Sequence, residues 1–389
     1  MPTATIRITH VTTGLEVGGA EIMLYRLLAN SDSRYFRHSV ISLTAGGTLR
    51  PQIESVGVPV FDLGMQRGFP TPGSALRLLR LLGRLAPDIL QGWMYHGNLA
   101  AWFGSITTRQ QPPVIWGIHH SIYDLEREKR LTAAAIKLGA RVSGACYRLI
   151  YVSHVSREQH ERIGYRSDRG CIIPNGFETE RFQPSPTSRA EVRDEFGIAT
   201  DAPLIGLVCR YHPMKDHANF LRAAAQLLPS HPNARFLLIG TDVTPENPDL
   251  QALVTQLGLG DRALFLGQRD DMPRLMAALD IGGLSSATGE AFPLVVGEAM
   301  ACGVPCTVTD VGDAGVMVAD TGRVVPPKNP NALAAAWSEL IELGADGRAL
   351  LGARARARVQ EHFALPAVTA QYEQIYTQAM ASSTCIRDK

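Results

Sequence analysis

Four charged side chains carry the most pointed chemistry in this sequence. Arg210 and Lys215 stand close together in Gly206-Leu207-Val208-Cys209-Arg210-Tyr211-His212-Pro213-Met214-Lys215, where an apolar run gives way to polar residues. Two permanent cations at the end of a strand suit a diphosphate, the guanidinium as a planar fork and the ammonium as a point charge. Glu290 and Glu298 belong to a longer segment that runs from Ser285 through a polar turn into a helix and closes on Gly303-Val304-Pro305. Glu298 stands about one turn inside that helix among Val, Gly, Ala and Met, where an unpaired carboxylate is costly. It is therefore read as taking both hydroxyls of a ribose, with Glu290 on the loop reaching a hexose. The first-turn amides of the helix, at Leu294, Val295 and Val296, suit a phosphate. Phe292 and Pro293 lead into that turn and are placed with the same wall. Contacts to a nucleotide base are expected through the main chain near Phe265 and Leu266.

A second group of residues lies in the first half. Gly18 and Gly19 follow the first apolar run and open a helix, where glycine lets backbone amides come close to a ligand. The spacing is not GxGxxG, and no acidic residue ends the second strand in a ribose-binding position, which disfavours a nicotinamide dinucleotide site. A P-loop nucleotidase is disfavoured as well, since GxxxxGK[ST] does not occur. His119 and His120 follow the apolar run Val114–Ile118, and spacing leaves open which of them points inward. His96 and Asn98 are read as ending another strand on the same side, and Asn175 sits in the turn Pro174-Asn175-Gly176. Asp-x-Asp is absent, and no metal ligand set is expected.

Elements must hold these residues in place. Short apolar runs alternate with helical patterns along the chain, which predicts parallel βαβ units. Strands are expected at Ile6–Val11, His38–Leu43, Pro59–Leu63, Ile89–Gln91, Val114–Ile118 and Arg148–Ser153, then at Leu204–Cys209, Arg235–Ile239, Ala263–Leu266, Ile281–Ser285, Cys306–Thr309 and Gly322–Val325. Residues 1–182 read as one domain, 183–203 as a linker, 204–365 as a second domain and 366–389 as a final helix. A chain of 389 residues favours two cores over one. The expected architecture is two doubly wound α/β domains with a ligand cleft between their strand C-termini.

The net charge of +1 hides an asymmetry: residues 1–182 hold 21 Lys/Arg against 14 Asp/Glu, and the remainder holds 17 against 23. A basic first half suggests an anionic partner. Within it, Asp124–Arg148 carries Arg127, Lys129, Arg130, Lys137, Arg141 and Arg148 among apolar residues. That pattern reads equally as a peripheral membrane surface and as a solvated helix face. Six scattered cysteines without CxxC spacing point to a reducing, cytoplasmic setting. No apolar run reaches the length of a membrane span, the first residues do not read as a signal peptide, and no nucleic-acid partner is expected.

Taken together, Gly18-Gly19-Ala20-Glu21, the Arg210–Lys215 pair and the E-x7-E of Glu290 and Glu298 resemble the family four retaining glycosyltransferases of the GT-B fold. Val152-Ser153-His154, Ile173-Pro174-Asn175-Gly176-Phe177 and Phe363-Ala364-Leu365-Pro366 extend the likeness over essentially the whole chain. The resemblance implies two Rossmann-like domains facing a cleft, with a C-terminal helix crossing back to the first. It implies that Arg210 and Lys215 bind the diphosphate of a UDP- or GDP-sugar, Glu298 its ribose, and Glu290 the transferred sugar. It also implies that Gly18 and Gly19 approach phosphate and acceptor, and that His119 or His120 lies near the reacting carbon. Where the family often has Gly after the first glutamate this chain has Ala291, which puts the sugar's identity in question. The expected reaction is metal-free and retaining, by front-face displacement, onto a glycan or lipid-linked acceptor, with no cofactor. A nucleotide-sugar epimerase on the same scaffold and a catalytically silent nucleotide-sugar-binding subunit remain as alternatives.

Overall fold

The computed structural model describes residues 5–65, 71–126 and 128–387, so Arg127 of the basic segment lies outside it. The chain divides into two compact units, one of Met1–Gly176 with Leu365–Lys389 and one of Phe177–Ala364.

In the first unit the strands are β1 (Ile6–Thr12), β2 (Phe36–Ser42), β3 (Val60–Asp62), β4 (Ile89–Trp93), β5 (Val114–Ile118), β6 (Arg148–Tyr151) and β7 (Gly170–Ile172). They form one sheet in the order β3-β2-β1-β4-β5-β6-β7, with parallel neighbours throughout. The helices that cross over are α1 (Gly19–Asn30), α2 (Arg50–Ser55), α3 (Pro72–Leu85), α4 (Met94–Thr107), α5 (Arg130–Val142) and α6 (His154–Arg162). The strands were legible as continuous apolar runs because a parallel sheet is covered on both faces. All five residues of β4 and all five of β5 are buried.

The second unit repeats the plan. Its helices are α7 (Pro186–Glu195), α8 (His217–Leu227), α9 (Pro248–Gln256), α10 (Met272–Ala278), α11 (Leu294–Ala301), α12 (Ala314–Val318), α13 (Pro330–Glu342) and α14 (Gly344–His362). Its strands are β8 (Leu204–Val208), β9 (Arg235–Ile239), β10 (Ala263–Phe265), β11 (Ile281–Leu284), β12 (Cys306–Thr309) and β13 (Arg323–Val325). Their order is β10-β9-β8-β11-β12-β13, again parallel. The chain then returns to the first unit as α15 (Leu365–Arg387). Leu365, Val368, Tyr372, Ile375, Tyr376 and Ala379 of α15 enter the same core as Ile8, Leu24, Val40 and Trp93.

Two expectations are corrected here. Residues 183–203 are no linker but part of the second unit. Asp280, almost fully buried, accepts from Arg189 (2.9 Å) and Arg193 (2.6 Å) of α7 and from the Leu204 amide (2.8 Å), pinning helix and strand together. Arg193 is buried too, and a buried charge persists only with such a partner. The second correction concerns Trp93–Asn98. The strand stops at Trp93, Met94 takes a left-handed φ of 60°, and His96 and Asn98 lie in the first turns of α4. Gly97 is needed there because any Cβ would collide with the Val11 carbonyl.

Candidate functional site

In each unit the strand order reverses between the first and fourth strands, β1 against β4 and β8 against β11. Loops leaving two such strands diverge and open a crevice beyond their C-terminal ends, the usual ligand position in open α/β sheets. In the second unit the loop after β8 carries Arg210 and Lys215, and the loop after β11 carries Glu290.

Two ties hold those two loops together, and a third fixes the second loop to β12. The Ala287 amide donates to the Met214 carbonyl (2.8 Å), the Ser285 hydroxyl to the Lys215 carbonyl (2.8 Å), and the Thr309 hydroxyl at the end of β12 to the Ser286 carbonyl (2.8 Å). The loop after β12 backs them: the Asp313 amide donates to Ala291 (2.9 Å). Gly312, at φ 62°, lies so close that a Cβ would sit 2.5 Å from the Glu290 carbonyl. Ala291 is thus buried with its main chain engaged.

On this scaffold the Lys215 ammonium donates to Glu290 Oε1 at 2.5 Å, and the Ser286 hydroxyl to the same oxygen at 2.6 Å. Lys215 is half-buried and Glu290 nearly sequestered from water. Arg210 is exposed at the lip of the loop. Burial, then the charges of Arg210 and Lys215, push the intervening His212 below its ordinary pKa. Burial likewise holds the Cys209 thiol up at about 12, so it stays protonated beside Lys215. Glu298 occupies the second turn of α11 and is partly exposed, while Leu294 and Val295 of the first turn are also partly open and Val296 is buried. The structure joins Lys215 to Glu290 and leaves Arg210, Glu298 and part of the first turn of α11 open to solvent, residue types able to hold a diphosphate and hydroxyls.

Three neighbouring expectations are redirected by packing. The Phe292 ring stacks into a cluster with Phe177 (6.4 Å) and Phe363 (5.2 Å), so it serves the core and not a ligand wall. Pro293 is buried as the N-cap of α11. Phe265 belongs to the unit's hydrophobic core, and the Leu266 amide continues the strand ladder to Leu238 (3.0 Å), leaving only their remaining main chain to a base.

The first unit gathers a different set. Gly18 is the N-cap of α1, and the Glu21 carboxylate folds back over it so closely that any Cβ on Gly18 would strike it. Burial raises the Glu21 pKa. The anion-favouring start of α1 therefore already holds a carboxylate, beside Gly19. Glu21 was legible in principle, because a glutamate three residues after an N-cap is the reach-back half of a capping box.

His119 leaves β5 and stacks on Trp93, with centroids 5.2 Å apart and planes at 21°. Burial drives its pKa down to about 4, opposed by a hydrogen bond with Asn175, so the imidazole is neutral at pH 7. His119 and Asn175 thus come together. His120 diverges from them: its Nε2 meets Glu128 at 2.8 Å, and its ring stands edge-on to Tyr95. Asn98 is buried and donates to the Gly117 carbonyl at 3.3 Å, bracing β5 just before His119. His96 is half-buried and lines an apolar groove with Leu99, Trp102 and Phe103.

Comparison with known proteins follows this division. Residues 188–358 match the family model "Glycosyl transferases group 1", and residues 17–181 match "Glycosyltransferase Family 4". N-acetyl-alpha-D-glucosaminyl L-malate synthase of Bacillus anthracis is 32% identical over 228 residues, 58% of this chain and 58% of that protein. The lipopolysaccharide core biosynthesis mannosyltransferase LpsB of Rhizobium meliloti is 30% identical over 217 residues, 52% of this chain and 60% of that protein. The matches thus span less than two thirds of these relatives' lengths. Among solved structures, Anabaena Alr3699/HepE in complex with UDP superposes at a TM-score of 0.83 and 23% identity, over 96% of this chain and all of that one. The sucrose-phosphate synthase of Thermosynechococcus elongatus does so at 0.81 and 21%, over 97% of this chain. The likeness shows the GT-B fold, built here from Rossmann-like sheets of 7 and 6 strands.

Proposed function

The chain belongs to the glycosyl transferases group 1, and from that membership we propose that it is a retaining, metal-independent glycosyltransferase that moves a hexose from a nucleoside diphosphate sugar to a glycan or lipid-linked acceptor. The observation that carries this reading is the Lys215–Glu290 pair at 2.5 Å beside exposed Arg210. Arg210, Lys215 and the first turn of α11 take the charge that develops on the leaving diphosphate, work that a metal ion does elsewhere. Glu298 takes the ribose hydroxyls and Glu290 the hydroxyls of the transferred sugar. His119, neutral and adjoining Asn175, donates one hydrogen bond near the reacting carbon. Front-face displacement follows if no carboxylate lies beneath that carbon. The HepE complex with UDP and glucose makes UDP-glucose the first donor to try.

Support for a lipid-linked acceptor comes from the first unit. An apolar groove of about 500 Å³ runs between α3, α4 and α5 and is lined by Leu63, Leu78, Trp102, Phe103 and Leu138. On α5, Lys137, Leu138 and Arg141 are exposed together, a face suited to anionic headgroups in a cytoplasmic setting. No described helix is long and apolar enough to cross a membrane. Vesicles rich in phosphatidylglycerol should sediment the protein at low salt and release it at high salt. Equal binding to neutral vesicles would remove this part of the proposal.

The defining experiment is a panel of UDP- and GDP-sugars, each incubated with and without acceptor extracts and read by mass spectrometry. Acceptor-dependent nucleotide release with a glycosylated product is expected from one donor. Conversion of the donor to its epimer without acceptor would establish the epimerase reading, and tight nucleotide binding with no turnover the silent one.

A further inference from the structure

Trp93 ends β4 fully buried, with two rings nearly parallel to its indole: His119 at 5.2 Å and 21°, and Tyr372 of α15 at 6.1 Å and 16°. A chain of hydrogen bonds leads away from it. The indole Nε1–H donates to His10 Nδ1 (3.0 Å), His10 Nε2 meets His38 Nδ1 (2.9 Å), His38 Nε2 meets the Ser31 hydroxyl (2.9 Å), and that hydroxyl meets Glu373 Oε1 (2.8 Å). Its direction is forced. An indole nitrogen only donates, so His10 Nδ1 carries no proton. His10 is neutral, since burial and the neighbouring His38 push its pKa well down, and its single proton must sit on Nε2. That proton is donated to His38 Nδ1. Burial keeps His38 near 4, hence neutral, with its proton on Nε2 pointing at Ser31. The Ser31 hydroxyl is then left to donate to the Glu373 carboxylate, which also accepts the Asp32 amide (2.8 Å). Each bond admits one polarity, and the relay ends on an anion.

Such a relay has a mechanical use. The terminal torsions of His and Trp are broad and roughly two-fold, so packing and partners, not rotamer preference, fix the ring planes. His119 is neutral, and its two ring nitrogens are buried without a hydrogen bond of good geometry, Asn175 being the side chain that approaches them. Its plane is thus set mainly by the indole on which it lies, and the indole's plane is set by the bond to His10. Met94, next in the chain, is held at φ 60°, a backbone state that non-glycine residues rarely adopt.

We propose that Trp93 is a positioning residue for His119, and that the His10–His38–Ser31–Glu373 relay, anchored on α15, orients the indole. This rests on the reading of His119 as a contact of the transferred sugar. Misplacing a positioned group costs up to about 100-fold in rate. In Trp93→Leu, kcat should fall by about that much, and in Trp93→Phe, which keeps a ring but loses the N–H, by roughly 10-fold. The KM for donor should stay within about twofold, because the proposed contacts to its diphosphate and ribose lie in the other unit. The second readout needs no activity: the Hε1 and Cε1 resonances of His119, assigned by loss in His119→Ala. The indole ring current displaces them, so they should move toward free-histidine values in Trp93→Leu, and shift partway in His10→Phe, where the indole is present but unanchored.

Unchanged His119 resonances and kcat in Trp93→Leu and His10→Phe would overturn the inference. Should Trp93→Leu not fold, Trp93→Phe and His10→Phe carry the test, as each retains a ring in the core. If instead His119→Ala transfers normally while the resonances respond as described, the positioning stands and the assignment of His119 to the sugar falls.

Discussion

Replacing Lys215 with alanine should lower transfer by about 10²- to 10³-fold, the usual consequence of removing one preorganised charge from a developing anion. Two effects add in the same direction. The diphosphate loses a cation, and Glu290, buried and held by Lys215 at 2.5 Å and Ser286 at 2.6 Å, loses the ammonium that fixes its orientation. The fold should persist, because Lys215 lies on a turn and anchors no core. Glu290→Gln should cost less, as it keeps the shape and the bond from Ser286 while freeing Lys215. Residues in direct contact couple, so the double variant should lose less than the product of the two single losses. Initial rates of nucleotide release, with circular dichroism to confirm folding, read this out. If Lys215→Ala transfers within about threefold of the unaltered protein, the donor site is misplaced.

Acid should unfold the first unit well before the second. His10, His38, His119 and His160 of the first unit, deeply buried, are all driven by burial below their ordinary value, the last three to about 4, and His96 is lowered as well, against His217, at about 4, and His212, also lowered, in the second. The unfolded chain binds a proton at each near pH 6.5, while the folded chain resists until far lower. Between those values the unfolded state holds more protons, so stability is complete above about 6.5 and declines as pH falls toward 4. Each such histidine contributes a slope of up to about 1.4 kcal/mol per pH unit, and four together on the order of 5 kcal/mol per pH unit, so one unit of acidification removes a large part of the roughly 5–15 kcal/mol that holds a domain. Glu21, whose carboxyl pKa is raised by burial, works the other way, but it is one group against four. Denaturant unfolding at pH 7, 6 and 5 tests this by fluorescence, with Trp93, Trp102 and Trp116 in the first unit and Trp337 in the second. In Trp337→Phe the signal belongs to the first unit alone. A midpoint that does not move from pH 7 to pH 5 would show that these histidines are not buried neutral.

Much of the fold could be read from the chain because a doubly wound sheet writes itself as apolar runs. Val114–Ile118, Arg235–Ile239 and Cys306–Thr309 begin and end where the runs do. What escaped was decided by partners far away in sequence. Trp93-Met94-Tyr95-His96 continues an apolar run, and only the left-handed turn at Met94 and the close approach of Gly97 to β1 show that a helix has begun. Residues 183–203 look like a polar connector until Asp280 comes to lie against Arg189 and Arg193. Phe292 lost its expected place against a ligand to Phe177 and Phe363, which no local pattern joins to it. Within the candidate site, the charged residues stood out because strand ends and helix starts are recognisable. The supports of His119 did not: His10, His38 and Trp93 are drawn from three separate strands, and each by itself is an ordinary core residue.

The return of α15 to the first unit has a consequence for how the protein is made. A chain leaves the ribosome from its N-terminus at about 5–20 residues per second. Residues up to Gly176 emerge first, yet the surface that Leu365, Val368, Tyr372 and Tyr376 must cover stays bare until the last segment is synthesised. The intervening stretch takes roughly 10–40 s to produce at that speed, and being contiguous it can close on itself in the meantime. The half that is born first is therefore completed last, and it is during this interval that the nascent protein most needs a chaperone.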